Sequence, residues 1–130
     1  MNRDFSSYEQ SNLTGRILDS AQEVHTELGP GLLESAYRQC LAHQLQLDGM
    51  AYRLEVPIAL RYRGLELETS YRADVIVEDA VMVELKAIER LLPIHSAQLL
   101  TYLRLTRLRV GLLINFNVSR LKFGVRRLIR

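Results

Sequence analysis

The sequence predicts an α/β fold of the α+β type, in which helices pack against one mixed sheet. Apolar residues recur at helical spacing between Leu13 and Leu45, and they alternate with a period of two from Leu54 onward. A change of period from about 3.6 to 2 indicates a change from helix to strand. A later helix-like segment precedes the apolar run VGLLIN at 110–115. Strands and helices in this mixture are typical of a domain that buries one sheet beneath helices.

Two helices begin the predicted fold. The first presents one apolar stripe, which consists of Leu13, Ile17, Ala21, Val24 and Leu28. Gly29-Pro30-Gly31 is expected to end this helix, because glycine favours a helix end and proline cannot continue the helix. The second helix is expected to begin near Leu32 and to end at Asp48-Gly49. Its predicted core residues are Leu33, Tyr37, Leu41 and Leu45.

The remaining predicted elements are five strands and one helix. The strands are expected at 54–62, 65–77, 81–88, 110–115 and 121–128, and the helix at 94–106 after Pro93. The element order is therefore α-α-β-β-β-α-β-β. Residues 1–11 are expected to form a flexible leader. Because no linker or repeat follows, residues 12–130 are expected to form a single domain.

The hairpin at 70–88 carries the most informative pattern in the chain. If its loop is the three residues Glu78–Ala80, Val77 pairs with Val81 and Asp74 lies opposite Glu84. One predicted face is then almost entirely apolar: Tyr71, Ala73, Val75, Val77, Val81, Val83, Leu85 and Ala87. The other predicted face carries the charges: Arg72, Asp74, Ile76, Met82, Glu84, Lys86 and Ile88. A slip of one residue would destroy this sorting, so the pattern supports the register.

Two carboxylates directly opposite each other require compensation. Their Cβ atoms would lie about 5 Å apart, and like charges at that distance raise one pKa or need a cation between them. One interpretation is a solvated charge cluster in which Lys86 and Arg72 neutralise Asp74 and Glu84. The other is a site for a divalent cation such as Mg²⁺, with Lys86 beside it to orient a water molecule.

Charge is distributed unevenly along the chain. The net charge is +2, but all fifteen acidic residues lie at or before Glu89 and nine basic residues follow it. This asymmetry indicates either a polyanionic partner or a solvated surface that is rich in arginine. From the polar start MNRDFSSYEQ and the lack of a long apolar run, we expect neither a signal peptide nor a membrane partner. The single cysteine, Cys40, is expected to be buried and suits a reducing compartment, so the predicted location is cytoplasmic.

Three ordered motifs resemble a known nuclease superfamily. Asp74, nine intervening residues and then Glu84-Leu85-Lys86 resemble the PD-(D/E)XK signature. Upstream, residues 31–37 read GLLESAY and match the G-x-x-E-x-x-Y signature of the GxxExxY protein family, a branch of that superfamily. Downstream, Gln98 to Tyr102 resembles a Q-x-x-x-Y element found in several nuclease branches. The resemblance covers about residues 13–125.

The resemblance implies a fold and a set of site residues. The fold would be restriction-endonuclease-like, with an αβββαβ core, an additional N-terminal helix and a C-terminal strand. Glu34, Asp74, Glu84 and the backbone carbonyl of Leu85 would bind Mg²⁺ or Mn²⁺, and Lys86 would position and activate the attacking water. Further candidates for support or substrate contact are Gln98, Tyr102, Arg72 and His95, with a surface or helix-capping role as the alternative for His95.

The function that follows is a divalent-metal-dependent nuclease that hydrolyses phosphodiester bonds of nucleic acid, with DNA favoured over RNA. The alternative is a non-catalytic module that retains the nuclease-like fold and binds nucleic acid or a protein. A chain of this size gains substrate reach by pairing, so a homodimer is a further expectation.

Overall fold

A computed structural model describes residues 9–68 and 71–130 of the chain. The helices are α1 (Ser11–Leu28), α2 (Glu34–Leu47) and α3 (Pro93–Thr106). The strands are β1 (Tyr52–Pro57), β2 (Leu60–Tyr62), β3 (Leu65–Leu67), β4 (Arg72–Val77), β5 (Val81–Lys86), β6 (Val110–Asn115) and β7 (Val125–Ile129), with a 3-10 turn at Leu121–Gly124. Of the expected leader, residues 1–8 lie outside the described residues, and Ser11 already belongs to α1.

Five strands form one mixed sheet in the order β1-β4-β5-β6-β7. β5 and β6 are parallel and are joined through α3, whereas the other neighbours are antiparallel. Val77 pairs with Val81, so the hairpin register predicted from the apolar sorting is correct. This architecture confirms the predicted α/β fold with a mixed sheet and its restriction-endonuclease-like element order.

The sheet separates two apolar clusters. Alternate residues of β5 divide between them: Val83 packs in the first cluster with Ile17 of α1 and Leu41 of α2, and Met82 packs in the second with Leu99 of α3. Gly111 in β6 leaves room for α3, because a Cβ at this position would lie 3.0 Å from the Leu99 side chain. Helices therefore cover both faces of β5 and hold its position in the sheet.

Two long strands expected from the sequence are each divided into shorter ones. The segment 54–62 forms β1 and β2, and 65–77 forms β3 and β4, with residues 69–70 outside the described residues. The β1–β4 ladder ends at the Pro57–Arg72 pair, and the Ile58 N–H donates one further hydrogen bond to the Tyr71 carbonyl at 3.0 Å. β2 and β3 then form a separate hairpin, in which Tyr62 is 61% exposed. The alternating pattern here reflects an exposed hairpin.

Smaller differences occur at element ends. Leu33 was expected in the core but is 77% exposed, because it is the N-cap that precedes α2. The final strand begins at Val125, since residues 121–124 form the 3-10 turn. Cys40 is exposed rather than buried, because Tyr37 and Leu41 occupy the buried side of α2.

In the part of the chain that the structure describes, no helix combines the length and the apolar character needed to cross a membrane.

Candidate active site

The carboxylates of Asp74 and Glu84 are held by each other's strand. One step beyond the Val75–Val83 pair, the backbone N–H of Asp74 donates to Glu84 Oε1 at 3.1 Å. In return, the backbone N–H of Leu85 donates to Asp74 Oδ2 at 2.8 Å. Side-chain oxygens thus accept hydrogen bonds from backbone donors at this end of the hairpin. The two acids are therefore fixed as a pair.

Holding these two acids close together is electrostatically unfavourable, and the effect is a raised pKa of Glu84. Glu84 is 7% exposed. Burial raises the pKa of the Glu84 carboxyl to about 8, and the neighbouring charge of Asp74 contributes to the same rise, while Lys86 opposes it. A buried acid beside a second acid either keeps a proton or needs a cation. The pair is therefore suited to exchange a proton for a metal ion.

Strand β1 is distorted opposite this pair. In the β1–β4 ladder, Glu55 lies opposite Asp74, between two paired positions. Glu55 adopts a left-handed backbone with φ of 47°. Across this point β4 changes its packing: Val75 belongs to the first cluster, whereas Ala73 and Ile76 both belong to the second. Ala73 was expected to share the face of Val75. Strain of this kind in a residue other than glycine is concentrated at functional sites.

Helix α2 brings Glu34 and Arg38 to the acid pair. Arg38 Nη1 lies 3.7 Å from Asp74 Oδ1, and Arg38 Nη2 lies 3.8 Å from Glu55 Oε1. Burial raises the pKa of Glu34, as does the charge of Asp74, while the charges of Lys86 and Arg38 lower it. Glu34 is thus within electrostatic range of the hairpin. Sequence reasoning missed Arg38, although its position four residues after Glu34 places both on one helix face.

Tyr37 holds the loop from which α2 begins. Its hydroxyl donates to the Gly29 carbonyl at 2.6 Å and accepts from the Leu32 N–H at 3.1 Å. Its ring stacks on Phe116 with centroids 4.6 Å apart. Gly31 has φ of 103° and permits the turn between these contacts. The G-x-x-E-x-x-Y pattern therefore has a structural explanation, because its tyrosine fixes the loop that precedes its glutamate.

Asn115 holds the chain just after Lys86. It is paired with Lys86 across β5 and β6 and is 1% exposed. Its side-chain amide donates to the Ile88 carbonyl at 2.9 Å, and its Oδ1 accepts from the Ile88 N–H at 3.1 Å. The N–H of Phe116 donates to the Lys86 carbonyl at 2.9 Å. Sequence reasoning missed this role; the signal was a polar residue at the end of a buried apolar strand.

Gln98 and Tyr102 lie on α3 beside the acid pair. Gln98 Nε2 donates to the Tyr102 hydroxyl at 3.2 Å. Burial raises the pKa of Tyr102, and the charges of Glu84, Tyr71 and Asp74 raise it further. The two residues therefore form one hydrogen-bonded unit near Glu84.

His95 and Arg72 each contact a backbone group. His95 Nδ1 accepts from the Leu92 N–H at 2.9 Å, so this side chain caps α3. Arg72 Nη1 contacts the Glu55 carbonyl at 3.5 Å. Arg38 is a cation beside Asp74 that the sequence interpretation, which offered Lys86 and Arg72, did not include.

The donor set suits a hard divalent cation. Within residues 9–68 and 71–130, no three His, Cys, Asp or Glu side chains are grouped closely enough to hold a metal ion. Mg²⁺, however, is commonly held by one or two carboxylates, with water and substrate phosphate completing its shell. The Asp74 and Glu84 carboxylates and the Leu85 carbonyl are oxygen donors of this type, and their close, costly pairing fits such an ion.

Some of the basic C-terminal residues have partners within the protein, and others line a cleft. Arg109 pairs with Glu9 at 3.1 Å, and Arg127 and Arg130 donate to backbone carbonyls. Arg120 and Lys122 instead line a cleft of about 580 Å³ next to the Gly29-Pro30 loop. Only part of the expected polyanion-binding charge therefore faces an open cleft.

A mixed sheet with an acid pair on its β4–β5 hairpin is typical of restriction-endonuclease-like proteins. A family profile described as the PD-(D/E)XK nuclease superfamily matches residues 11–128, and the chain belongs to this superfamily. No curated protein and no solved structure matches the chain. Nucleases of the superfamily generally use divalent metal ions, and membership implies a nucleic-acid substrate.

Proposed function

We propose that this protein is a divalent-metal-dependent nuclease that hydrolyses phosphodiester bonds, with DNA favoured over RNA as substrate. The observation that carries the proposal is the reciprocal hydrogen bonding of Asp74 and Glu84 across the hairpin. This arrangement holds two carboxylates together against their repulsion, and burial makes the repulsion costly. Arg38 pairs with Asp74 at 3.7 Å, but the pKa of Glu84 is still raised, so the site keeps excess negative charge that a metal ion would neutralise.

The residues that would hold Mg²⁺ or Mn²⁺ are Asp74, Glu84 and the carbonyl of Leu85, with Glu34 joining directly or through water. The ion would supply positive charge that stabilises the phosphoryl oxygens and makes water more acidic. Lys86 follows Glu84 on the same strand and would position the attacking water. Because Asn115 holds the backbone just beyond Lys86, the starting point of the lysine side chain is fixed.

The remaining residues have supporting roles in this proposal. The Gln98–Tyr102 unit forms the α3 side of the site and would fix the substrate strand or the lysine. Arg120 and Lys122 would hold backbone phosphates without reading sequence, so binding should weaken as salt rises. Arg72 and His95 have contacts in the protein and would touch only the outer part of the substrate.

The test is cleavage of supercoiled plasmid, single-stranded DNA and RNA with Mg²⁺, with Mn²⁺ and with EDTA. Asp74→Asn and Lys86→Met should lose cleavage of the preferred substrate. Asp79→Asn is a matched control, because Asp79 lies in the same hairpin but is exposed and pairs with Arg53 at 2.9 Å. Equal low activity in all four proteins would identify a contaminant and contradict the proposal.

We further infer that the chain belongs to the GxxExxY branch of the superfamily. Support comes from the way Gly31 and Tyr37 shape the loop before Glu34, since each residue of the signature then has a distinct physical task. A single domain over 12–130, a cytoplasmic location and a homodimer remain proposals. Sedimentation at several concentrations would test the dimer.

A non-catalytic binding module is the alternative function. Arg38 already supplies positive charge to Asp74, and such a contact also suits a protein that holds no metal. This alternative predicts salt-dependent binding of nucleic acid that EDTA leaves unchanged and that is never followed by cleavage.

A further inference from the structure

We propose that the apolar groove between α3 and the start of β4 binds an unpaired nucleobase of the substrate strand. The groove has a volume of about 350 Å³, and its lining includes Tyr71, Tyr102, Gln98, Thr101, Ile94 and Leu60. The inference rests on the proposed nuclease function and narrows its substrate to single-stranded or locally unpaired nucleic acid.

The two tyrosines of the groove place it near the acid pair. Tyr71 lies three residues before Asp74, and its ring centroid is 6.0 Å from that of Tyr102. Tyr102 packs in the same cluster as Ala73, the neighbour of Asp74. A strand whose phosphate lies at Asp74 and Glu84 therefore has its base close to these two rings.

The lining has the chemistry that a base requires. Tyr71 is 47% exposed and Ile94 is 66% exposed, so an aromatic and an aliphatic side chain both face solvent near the groove. Flat bases stack on tyrosine rings whatever their sequence. The Gln98 amide and the Thr101 hydroxyl offer hydrogen bonds to the edge of a base. A few polar groups within an apolar lining are typical of sites for small planar ligands.

The occupant follows from the size and position of the groove. A volume of 350 Å³ is near the lower limit for ligand sites, which suits one base better than a peptide. Bases in a duplex are stacked on both faces and are not available to a side groove. A base must therefore be unpaired, or leave the stack, before it can enter.

The test is fluorescence anisotropy in EDTA, so that binding is measured without cleavage. The probes are a labelled single-stranded oligonucleotide, its duplex and an abasic strand of equal length. We expect Tyr71→Ala to weaken binding of the single strand about tenfold, as for the loss of one stacked base. Tyr71→Phe should bind like the wild type, and binding of the abasic strand should be the same in all three proteins.

Two further variants test the groove without changing Tyr71, in case Tyr71→Ala disturbs the folded structure. Ala97→Met fills the groove from an exposed position on α3 and should weaken binding of the single strand but not of the abasic strand. Tyr62→Ala removes an exposed tyrosine of the β2–β3 hairpin, outside the groove lining, and should leave both affinities unchanged.

The outcomes separate this inference from the proposed nuclease. Base-dependent binding without cleavage in Mg²⁺ would support the groove and contradict the nuclease. Cleavage that is equal in wild type, Tyr71→Ala and Ala97→Met, with no preference for the single strand over the abasic strand, would support the nuclease and overturn the groove.

Discussion

Arg38 and Asp74 form a half-buried ion pair: Nη1 lies 3.7 Å from Oδ1, and each side chain is 18% exposed. This contact joins α2 to the first acid of the β4–β5 hairpin. It places a fixed positive charge beside two carboxylates that repel each other. Arg38 therefore stabilises the metal-free protein and opposes the arrival of a second cation.

Removing that charge should have two opposite effects. We expect Arg38→Met to lower the free energy of unfolding of the metal-free protein by about 1–3 kcal/mol, because a partly buried carboxylate loses its partner. The same variant should bind Mn²⁺ several-fold more tightly. Chemical denaturation in EDTA and calorimetric titration measure the two effects.

Arg53→Met is the control for this pair. Arg53 and Asp79 are 2.9 Å apart, but their side chains are 57% and 80% exposed, so solvent weakens the interaction. We expect little change in stability or in Mn²⁺ affinity. Equal effects of the two arginine variants would show that Arg38 has no special relation to the acid pair.

The raised pKa of Glu84 predicts a dependence of stability on pH. A carboxyl whose pKa rises from 4.5 to about 8 on folding binds its proton more tightly in the folded protein. Raising the pH through that window removes the proton and lowers the free energy of unfolding. Urea denaturation in EDTA at about pH 5 and about pH 8 should show this loss in the wild type.

Glu84→Gln should lack most of that loss, because glutamine carries no titratable proton. At about pH 8 the variant should therefore be more stable than the metal-free wild type. Glu34 titrates in the same direction and leaves a smaller residual slope in both proteins. Parallel curves for the two proteins would contradict a strongly raised pKa of Glu84.

Tyr37→Phe tests the structural role of the G-x-x-E-x-x-Y tyrosine. The variant keeps the ring stacked on Phe116 but leaves the Gly29 carbonyl and the Leu32 N–H without their hydroxyl partner. We expect a loss of about 1–3 kcal/mol in the free energy of unfolding, measured by urea denaturation. Tyr52→Phe, whose long 3.4 Å hydrogen bond is exposed, should lose much less.

Gly124→Ala tests the packing that holds Asn115. A Cβ at Gly124 would lie 2.1 Å from the Asn115 carbonyl oxygen, a backbone atom that cannot move freely. We expect a loss of about 1–3 kcal/mol and weaker cleavage, as Asn115 and the chain beyond Lys86 shift. Gly15→Ala is the control: Gly15 lies in α1 with nothing within 4 Å of the added Cβ, so the change should stabilise the protein by about 0.5–1 kcal/mol. Equal stability and activity in Gly124→Ala would contradict this role.

The segments in which apolar residues recur with a strict period were the ones whose structure the sequence predicted correctly. The alternation from Val75 to Val83 identified the hairpin register, because a slip would bury charges and expose valines. The stripe along α1 and the triplet Gly29-Pro30-Gly31 identified the first helix and its end. Both signals come from residues close together in the sequence, and both elements pack against the hydrophobic core.

The sequence predicted less where contacts between distant parts of the chain determine the structure. Arg38 reaches Asp74 only because α2 packs across the sheet, and no spacing in the sequence shows that approach. Glu55 continues an alternating pattern but adopts a left-handed backbone, which that pattern does not predict. The exposure of Tyr62 followed from a hairpin that extends beyond the sheet. Alternation identifies two faces but does not show whether anything covers them.

Calorimetric titration of wild type and Glu84→Gln with Mn²⁺ at about pH 7 tests most directly whether Asp74 and Glu84 hold a cation. We expect one site in the wild type, with release of a proton that is detected as a dependence of the heat on the buffer. Glu84→Gln should bind at least about tenfold more weakly and release no proton. The same affinity and the same heat in both proteins would contradict the metal site.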